Sequence, residues 1–532
     1  MSSIGRASVL IGAGTIVSRV SGVLRTVVLV AAIGSISSAG DAFAVANQLP
    51  NNIYAIISTG LLTAVVVPQI VKAAAHADGG QAFISKLFTL GTVGLLGATA
   101  LAMVAAPLLV QVYASKFTDD QLALSTAFAY WCLPQIFFYG LYALLGEILN
   151  ARRVFGPYTW APIVNNIVSI AGFGAFILLF GGPQTRVEAW TPAMIAVLAA
   201  TATAGIVVQT AVLMFFWRRA GLTLRPDFRW RGVGLRHISR LAGWTFLMVV
   251  AGQLAGIVQS NVLSGASGED PAIFASQNAW LLFMLPYSII VLSIGTPYFT
   301  QLSEHAAAGR DDDVRADIAR SIRTLGFFIV AATAALAVAA VPASRIFTNG
   351  PEQAIAAAPV LWCFLVCLVP LAVLFVVQRT FYAYNDTRTP FLFTLLQCAL
   401  VAGGAVAAGA VIDRSELAAA VALTQSFASI VQVVVATVLL HRRLSGIGVG
   451  SWLPALGRFT LAAIPAAAAG WGTLVLLGGS EGWMTSSVPA GIAGAAVLGL
   501  VVLAVYIGIL AVFRTPELAP ALALGRRFLP KR

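Results

Sequence analysis

Apolar residues in this chain run in long stretches, broken by short polar or Gly/Pro-rich segments. Fourteen stretches reach the roughly 20 residues a helix needs to cross a hydrocarbon core. They lie at about 8–33, 41–72, 86–113, 121–149, 158–181, 191–217, 237–263, 271–300, 320–346, 354–380, 389–412, 416–440, 453–478 and 486–513. The longest polar interruptions, 218–236 and 301–319, are too short to fold as separate domains. The pattern predicts an all-α polytopic membrane protein of about 14 transmembrane helices, with no soluble catalytic module appended.

Composition agrees. Of 532 residues, 59% are hydrophobic and 10% charged, and mean hydropathy is +0.90. Soluble domains carry about 25% charged residues, so a water-soluble globule is excluded. The first apolar stretch contains Arg19 and Arg25 and lacks a small-residue cleavage site, so it is expected to be retained. Cys132, Cys363, Cys367 and Cys398 all fall in apolar stretches, which argues against a disulfide framework.

Charge then sets orientation. There are 32 Lys and Arg against 20 Asp and Glu, a formal +12, which in a soluble protein would raise nucleic-acid binding. With the N-terminus cytoplasmic, 26 basic residues fall in cytoplasmic segments or their margins. Four (Lys116, Arg186, Arg345 and Arg414) fall in outer loops, and Arg19 and Arg25 remain inside the first segment. The positive-inside rule therefore predicts two cytoplasmic termini and an even number of spans.

The chain also resembles itself at a separation of roughly 220–235 residues. Ser18-Arg19-Val20-Ser21-Gly22 recurs as Ser239-Arg240-Leu241-Ala242-Gly243, Leu49-Pro50 as Leu285-Pro286, and Trp131-Cys132 as Trp362-Cys363. The turn from Asn150 to Pro157 has its counterpart in Tyr382 to Pro390. Six segments separate each pair, so the two copies share one orientation. The expected organisation is an N-lobe at 1–218, a basic linker at 219–236 and a C-lobe at 237–443. Residues 444–532 then hold segments 13–14 and a basic tail. Two such lobes would flank a central cleft.

Charge inside a bilayer is expensive, so Arg19 and Arg25 are functional candidates. Six residues separate them, a net rotation of about 240° on an ideal helix, and a bend or unwinding at Gly22 would turn both to the cleft. Guanidinium forks suit phosphate oxygens, so the pair reads as a diphosphate clamp; the competing reading is an ion pair with Asp41. Glu147 is a gating or coupling candidate, or else a partner of Arg152 or Arg153. Asp386, beside Arg388, reads as a helix cap, and Asp311-Asp312-Asp313 as a solvated helix start. His76, His237, His305 and His441 lack metal-ligand spacing, so no metal is expected. Gln135, Asn165, Asn166, Gln253, Gln259, Asn261, Gln277 and Asn278 either bond between helices or line a cavity. Phosphate-loop and hydrolase motifs are absent from the sequence, and no cofactor is expected.

Ser18 to Arg25, Asp41-Ala42-Phe43-Ala44-Val45-Ala46 and Leu49-Pro50-Asn51 together resemble the opening of the MurJ (MviN) lipid II flippases. So do Phe155-Gly156-Pro157 with Asn165-Asn166, and the run from Phe381 to Pro390. That family belongs to the multidrug/oligosaccharidyl-lipid/polysaccharide exporter superfamily. The resemblance implies alternating-access movement of the undecaprenyl-diphosphate-linked peptidoglycan precursor, lipid II, from inner to outer leaflet of the bacterial cytoplasmic membrane. It implies that Arg19, Arg25 and Asp41 belong to the central cavity, and that segments 13–14 form a groove for the lipid tail. Asn51, Asn165, Gln277 and Asn278 complete the expected substrate contacts. Membrane lipids and cell-wall synthesis proteins are the expected partners of a monomer, with no nucleic acid.

Three departures from the family pattern stand out. Tyr54, Ala55 and Thr59 stand where many members carry basic residues and then a glutamate, and Leu281 replaces a cavity arginine. Segments 7 and 11 contain no Asp or Glu, the residues through which some members bind sodium. The cavity is thus less basic than the family pattern, with Gln277 and Asn278 expected to supply neutral hydrogen bonds to the headgroup. The alternatives are export of another polyprenyl-linked oligosaccharide or of drugs, a lipid-linked glycosyltransferase, and a non-transporting scaffold. Two arginines favour an anion over a cationic drug, and the outer loops are too short for a glycosyltransferase site.

Overall fold

The computed structural model describes residues 3–59, 81–151, 154, 156–219, 226–228 and 235–518, and every regular element among them is helical. Twelve helical stretches among them are long and apolar enough to cross a membrane. They coincide with segments 3 to 14 of the sequence pattern. Segment 1 is a helix carrying two arginines, and the second half of segment 2 (60–80) lies outside the described residues. So do Arg152, Arg153 and most of the basic linker.

Two compact units divide the chain, Met1–Glu269 and Asp270–Arg532. The first contains α1 (Ser3–Ile33), α2 (Ser38–Ile57), α3 (Gln81–Val104), α4 (Ala106–Tyr113) and α5 (Asp119–Cys132). It continues with α6 (Gln135–Ala151), α7 (Gly156–Phe180), α8 (Pro192–Arg219) and α9 (Leu235–Leu263). The α7 helix is central, packed along both α1 and α8. The closeness of α7 and α8 depends on Gly205: a Cβ there would collide with Asn165 Oδ1. Small residues at such crossings let two backbones approach, which in a membrane is a main source of helix association.

The second unit contains α10 (Ile273–Pro286), a π turn (Tyr287–Val291), α11 (Leu292–Ala307), α12 (Asp311–Val338) and α13 (Ala340–Arg345). After these come α14 (Pro351–Leu365), α15 (Leu368–Ala383), α16 (Arg388–Val411) and α17 (Arg414–Arg443). The last two are α18 (Val449–Leu476) and α19 (Val488–Val512). The π turn directly follows Pro286, which has no N–H to give the helix ladder. Asp311, Asp312 and Asp313 form the first turn of α12, where carboxylates favour the positive end of the helix dipole. Asp386 caps α16, accepting from Thr389 N–H at 3.0 Å and its hydroxyl at 2.8 Å, and also pairs with Arg443 at 2.6 Å. The additional pair, α18 and α19, packs on α12, where the Tyr506 hydroxyl donates to Phe327 O at 3.0 Å.

Each unit breaks its helices at matching places. Segment 3 is two helices, interrupted at Ala105 (φ −84°, ψ 3°) just before Pro107. Segment 9 is likewise two helices, interrupted at Ala339 (φ −84°, ψ 8°) before Pro342. Segments 4 and 10 break at Leu133-Pro134 and at Val366-Cys367. The breaks recur at the offset of the sequence repeat. The division between units falls after α9, beyond the linker from which the repeat starts its second copy.

Candidate functional site

Arg19 and Arg25 lie on α1, which stays helical through Gly22 without unwinding. Ser21 Oγ and Thr26 Oγ1 turn back onto the Ser18 and Gly22 carbonyls, both at 3.1 Å. The helix is held against α7 by Asn166, whose Nδ2 donates to Ser18 O at 3.1 Å and Ser21 Oγ at 2.9 Å. Arg19 is exposed and Arg25 half-buried. Among the described residues, the ionisable neighbour acting on Arg25 is Tyr139. Tyr139 stacks on Tyr54 with ring centroids 5.7 Å apart.

Tyr54 leads to a second stacked pair. Tyr142 and Tyr158 lie 5.0 Å apart, 16° from parallel, and the Tyr142 hydroxyl donates to Tyr158 O at 2.7 Å. Glu147, half-buried on α6, acts electrostatically on both Tyr54 and Tyr158. Arg25, four tyrosines and Glu147 thus form one connected patch on α1, α2, α6 and α7. Tyr139, Tyr142 and Tyr158 were not singled out from sequence, and Tyr54 was noted only as a departure from the family pattern. Two signals were available: Tyr139 and Tyr142 are three residues apart on one helix, and Tyr54 occupies a position that is often basic in the resembling family.

Asp41 is placed elsewhere. Only 1% exposed in the first turn of α2, it accepts a hydrogen bond from Ser267 Oγ at 2.7 Å. Gln121 Nε2 donates to the same Ser267 oxygen at 2.7 Å and to Ser38 O at 2.9 Å. Nearby, Asn261 Nδ2 donates to Ser115 Oγ at 2.9 Å and Val112 O at 3.1 Å, while the Lys116 N–H donates to Ser264 Oγ at 3.3 Å. These bonds fasten the end of α9 to α2, α4 and α5, which explains why α9 belongs to the first compact unit.

The remaining sequence candidates separate by environment. Asn51 is exposed on α2, while its neighbour Asn52 is buried and donates to the Tyr113 hydroxyl at 3.1 Å. Asn165 is buried against Gly205 and accepts from Ser169 Oγ at 3.3 Å, a packing environment. Gln135 bonds Asn47 and Thr203 between helices, at 3.4 and 3.1 Å. In the second unit Gln277 is half-buried on α10. Asn278 is buried, and its Nδ2 has no hydrogen-bond partner among the described residues. A buried donor without a partner costs about 1–3 kcal/mol.

The family model for "Lipid II flippase MurJ" matches residues 29–494. A probable lipid II flippase MurJ of Rhizobium tropici is 26% identical over 402 residues, covering 73% of each chain. Its counterpart in Haemophilus influenzae is 26% identical over 409 residues, covering 71% of this chain and 75% of that one. Among solved structures, a lipid II flippase MurJ in an inward closed conformation superposes with TM-score 0.72. It is 18% identical and covers 94% of this chain and all of that one. An inward-facing multidrug resistance MATE transporter of the MOP superfamily gives TM-score 0.64 at 15% identity, over 80% of this chain and 94% of that one. These two likenesses concern the fold; the family match extends across both units. With twelve candidate spans and the repeated helix breaks beside it, that match shows that the chain belongs to the MurJ family of lipid II flippases, multi-pass membrane transporters rather than enzymes.

Proposed function

We propose that this chain carries lipid II from the inner to the outer leaflet of the bacterial cytoplasmic membrane by alternating access, with both termini cytoplasmic. The moving bodies are lobes 1–218 and 237–443, joined by the basic linker, with 444–532 supplying the additional helix pair and the tail. Arg19 and Arg25 receive the diphosphate. The observation that carries this reading is Arg25, half-buried on α1 with the Tyr139 phenol as its ionisable neighbour among the described residues. A guanidinium in that setting is stabilised by an incoming anion, and its fork matches phosphate oxygens.

Asn51, Gln277 and Asn278 contribute neutral hydrogen bonds to the sugar and peptide, the Asn278 amide being a buried donor without a partner among the described residues. The bonds from Asp41 through Ser267 to Gln121 hold the outer end shut and open when the substrate leaves. Glu147, set among tyrosines, is the gating or coupling carboxylate. The inside-negative membrane potential supplies about 2.3 kcal/mol per elementary charge per 100 mV to outward movement of the anionic headgroup.

A binding experiment tests the clamp. Detergent-solubilised protein is titrated with lipid II, with its monophosphate analogue and with an undecaprenyl-diphosphate carrying a different oligosaccharide. Arg25→Ala is expected to weaken lipid II binding about 10–100-fold, the loss of a charge-assisted contact, and to bind the monophosphate nearly as the wild type does. Equal loss for all three ligands would remove the diphosphate reading. Tighter binding of the other oligosaccharide by wild type would favour the wider superfamily substrate class.

A further inference from the structure

The second unit contains a cavity unconnected with any residue discussed for lipid II. It has a volume of about 230 Å³ and is lined by Tyr298 of α11, Arg320, Arg323 and Thr324 of α12, and Glu517 beyond α19. Its position along α12 is informative. The first four turns of that helix carry Asp311, Asp312, Asp313, Arg315, Asp317, Arg320 and Arg323, and from Leu325 onward the helix is apolar. The cavity therefore sits at the boundary between charged and hydrocarbon-facing surface, the depth of lipid headgroups.

Its chemistry is incompletely satisfied. Arg323 Nε stands 3.9 Å from Glu517 Oε1, the long limit of an ion pair, while Glu517 Oε2 is buried without a partner among the described residues. The Glu517 side chain is only 10% exposed. Arg320 is exposed and has no ion-pair partner among the described residues. The hydroxyls of Tyr298 and Thr324 lie 3.4 Å apart, so either can turn to a ligand. Two guanidiniums against one carboxylate leave one positive charge, which a single phosphodiester neutralises.

We infer that this cavity binds the headgroup of an anionic glycerophospholipid. The phosphodiester oxygens meet Arg320 and Arg323. A headgroup hydroxyl donates to the unpartnered Glu517 oxygen, and the acyl chains leave past Phe328 on the apolar side. A lipid so held ties the segment after α19 to α12. The inference is independent of the flippase reading, since none of its residues is placed at the lipid II site.

The test uses the full-length purified chain in phosphatidylcholine nanodiscs, titrated with phosphatidylglycerol or with soluble glycerol phosphate and read by native mass spectrometry and thermal melting. Phosphatidylglycerol is expected to raise the wild-type Tm. Arg320→Gln and Arg323→Gln are each expected to weaken its binding about 10-fold, while Glu517→Gln tightens it by removing a like charge. Arg414→Gln, an equal charge loss on an exposed residue of α17, leaves binding unchanged. Melting in phosphatidylcholine alone reports whether each variant is folded. Unchanged phosphatidylglycerol affinity in folded Arg320→Gln and unchanged affinity in Glu517→Gln would overturn the site. Glycerol phosphate binding as tightly as the lipid would overturn its assignment to a lipid.

Discussion

Arg25 and Arg345 are both guanidiniums drawn partly out of water, and their surroundings differ in kind. Arg345 is 8% exposed, donating from Nε to Thr485 O at 2.8 Å and from a terminal nitrogen to Thr348 O at 2.5 Å. The two carbonyls hold its charge in place. Its work is to join α13 to the turn preceding α19. Arg345→Met is expected to destabilise the protein by roughly 2–4 kcal/mol, since two carbonyls lose charged donors, and to leave lipid II affinity in the folded fraction unchanged. Thermal melting beside the binding titration checks both halves. For Arg25 the expectation is reversed: Arg25→Lys keeps the charge and the fold but loses the fork, lowering lipid II affinity with little change in Tm. From sequence alone Arg345 is one of four basic residues in outer loops. Its burial depends on Thr485, 140 positions away, which no local pattern discloses.

At the scale of elements, the helix breaks were legible only in part. Runs of apolar residues locate segments 3 to 14, because crossing a bilayer demands length and hydropathy and little else. Within a run, hydropathy does not show that Ala105 and Ala339 leave the helix, although Pro107 and Pro342 stand close behind them. Comparison of the two copies would have paired those prolines. The attachment of α9 was illegible for another reason. The family resemblance marked Asp41 for the cavity, and nothing in its sequence position announces the hydrogen bond it accepts from Ser267, 226 positions away. Ser267→Ala removes one link between Asp41 and Gln121, at about 1.5–3 kcal/mol for a hydrogen bond to a charged group. Its expected effect is a rise of about 10-fold or more in the population open at that end, read as faster labelling of a cysteine placed at Ser38. Unaltered labelling would assign these bonds to packing alone. Gly205→Ala tests the α7–α8 contact in the same spirit. A Cβ driven against Asn165 is expected to lower Tm by several degrees, with the loss recovered by Asn165→Ala.

At the scale of the whole molecule, the internal repeat was the most readable feature: short matches in the sequence, Ser18 to Gly22 with Ser239 to Gly243 among them, are accompanied by matched helix breaks in the structure. The lobe boundary drawn from that repeat and the contact boundary after Glu269 differ by one helix, α9. The proposed orientation takes up most of the basic residues behind the +12 formal charge and leaves little of it for substrate. With no acidic residue in segments 7 and 11, the account assigns the driving force to the membrane potential acting on the headgroup. Exchanging sodium for potassium on both sides, with the potential held constant, is therefore expected to leave transport unchanged.

The most direct measurement is the leaflet accessibility of labelled lipid II in proteoliposomes holding an inside-negative potential. The account predicts rapid outward movement by the wild type, slowing when the potential is collapsed, and a loss of about 10-fold or more in Arg19→Ala and Arg25→Ala. Wild-type rates from both arginine variants, or no movement by the wild type under an imposed potential, would contradict it.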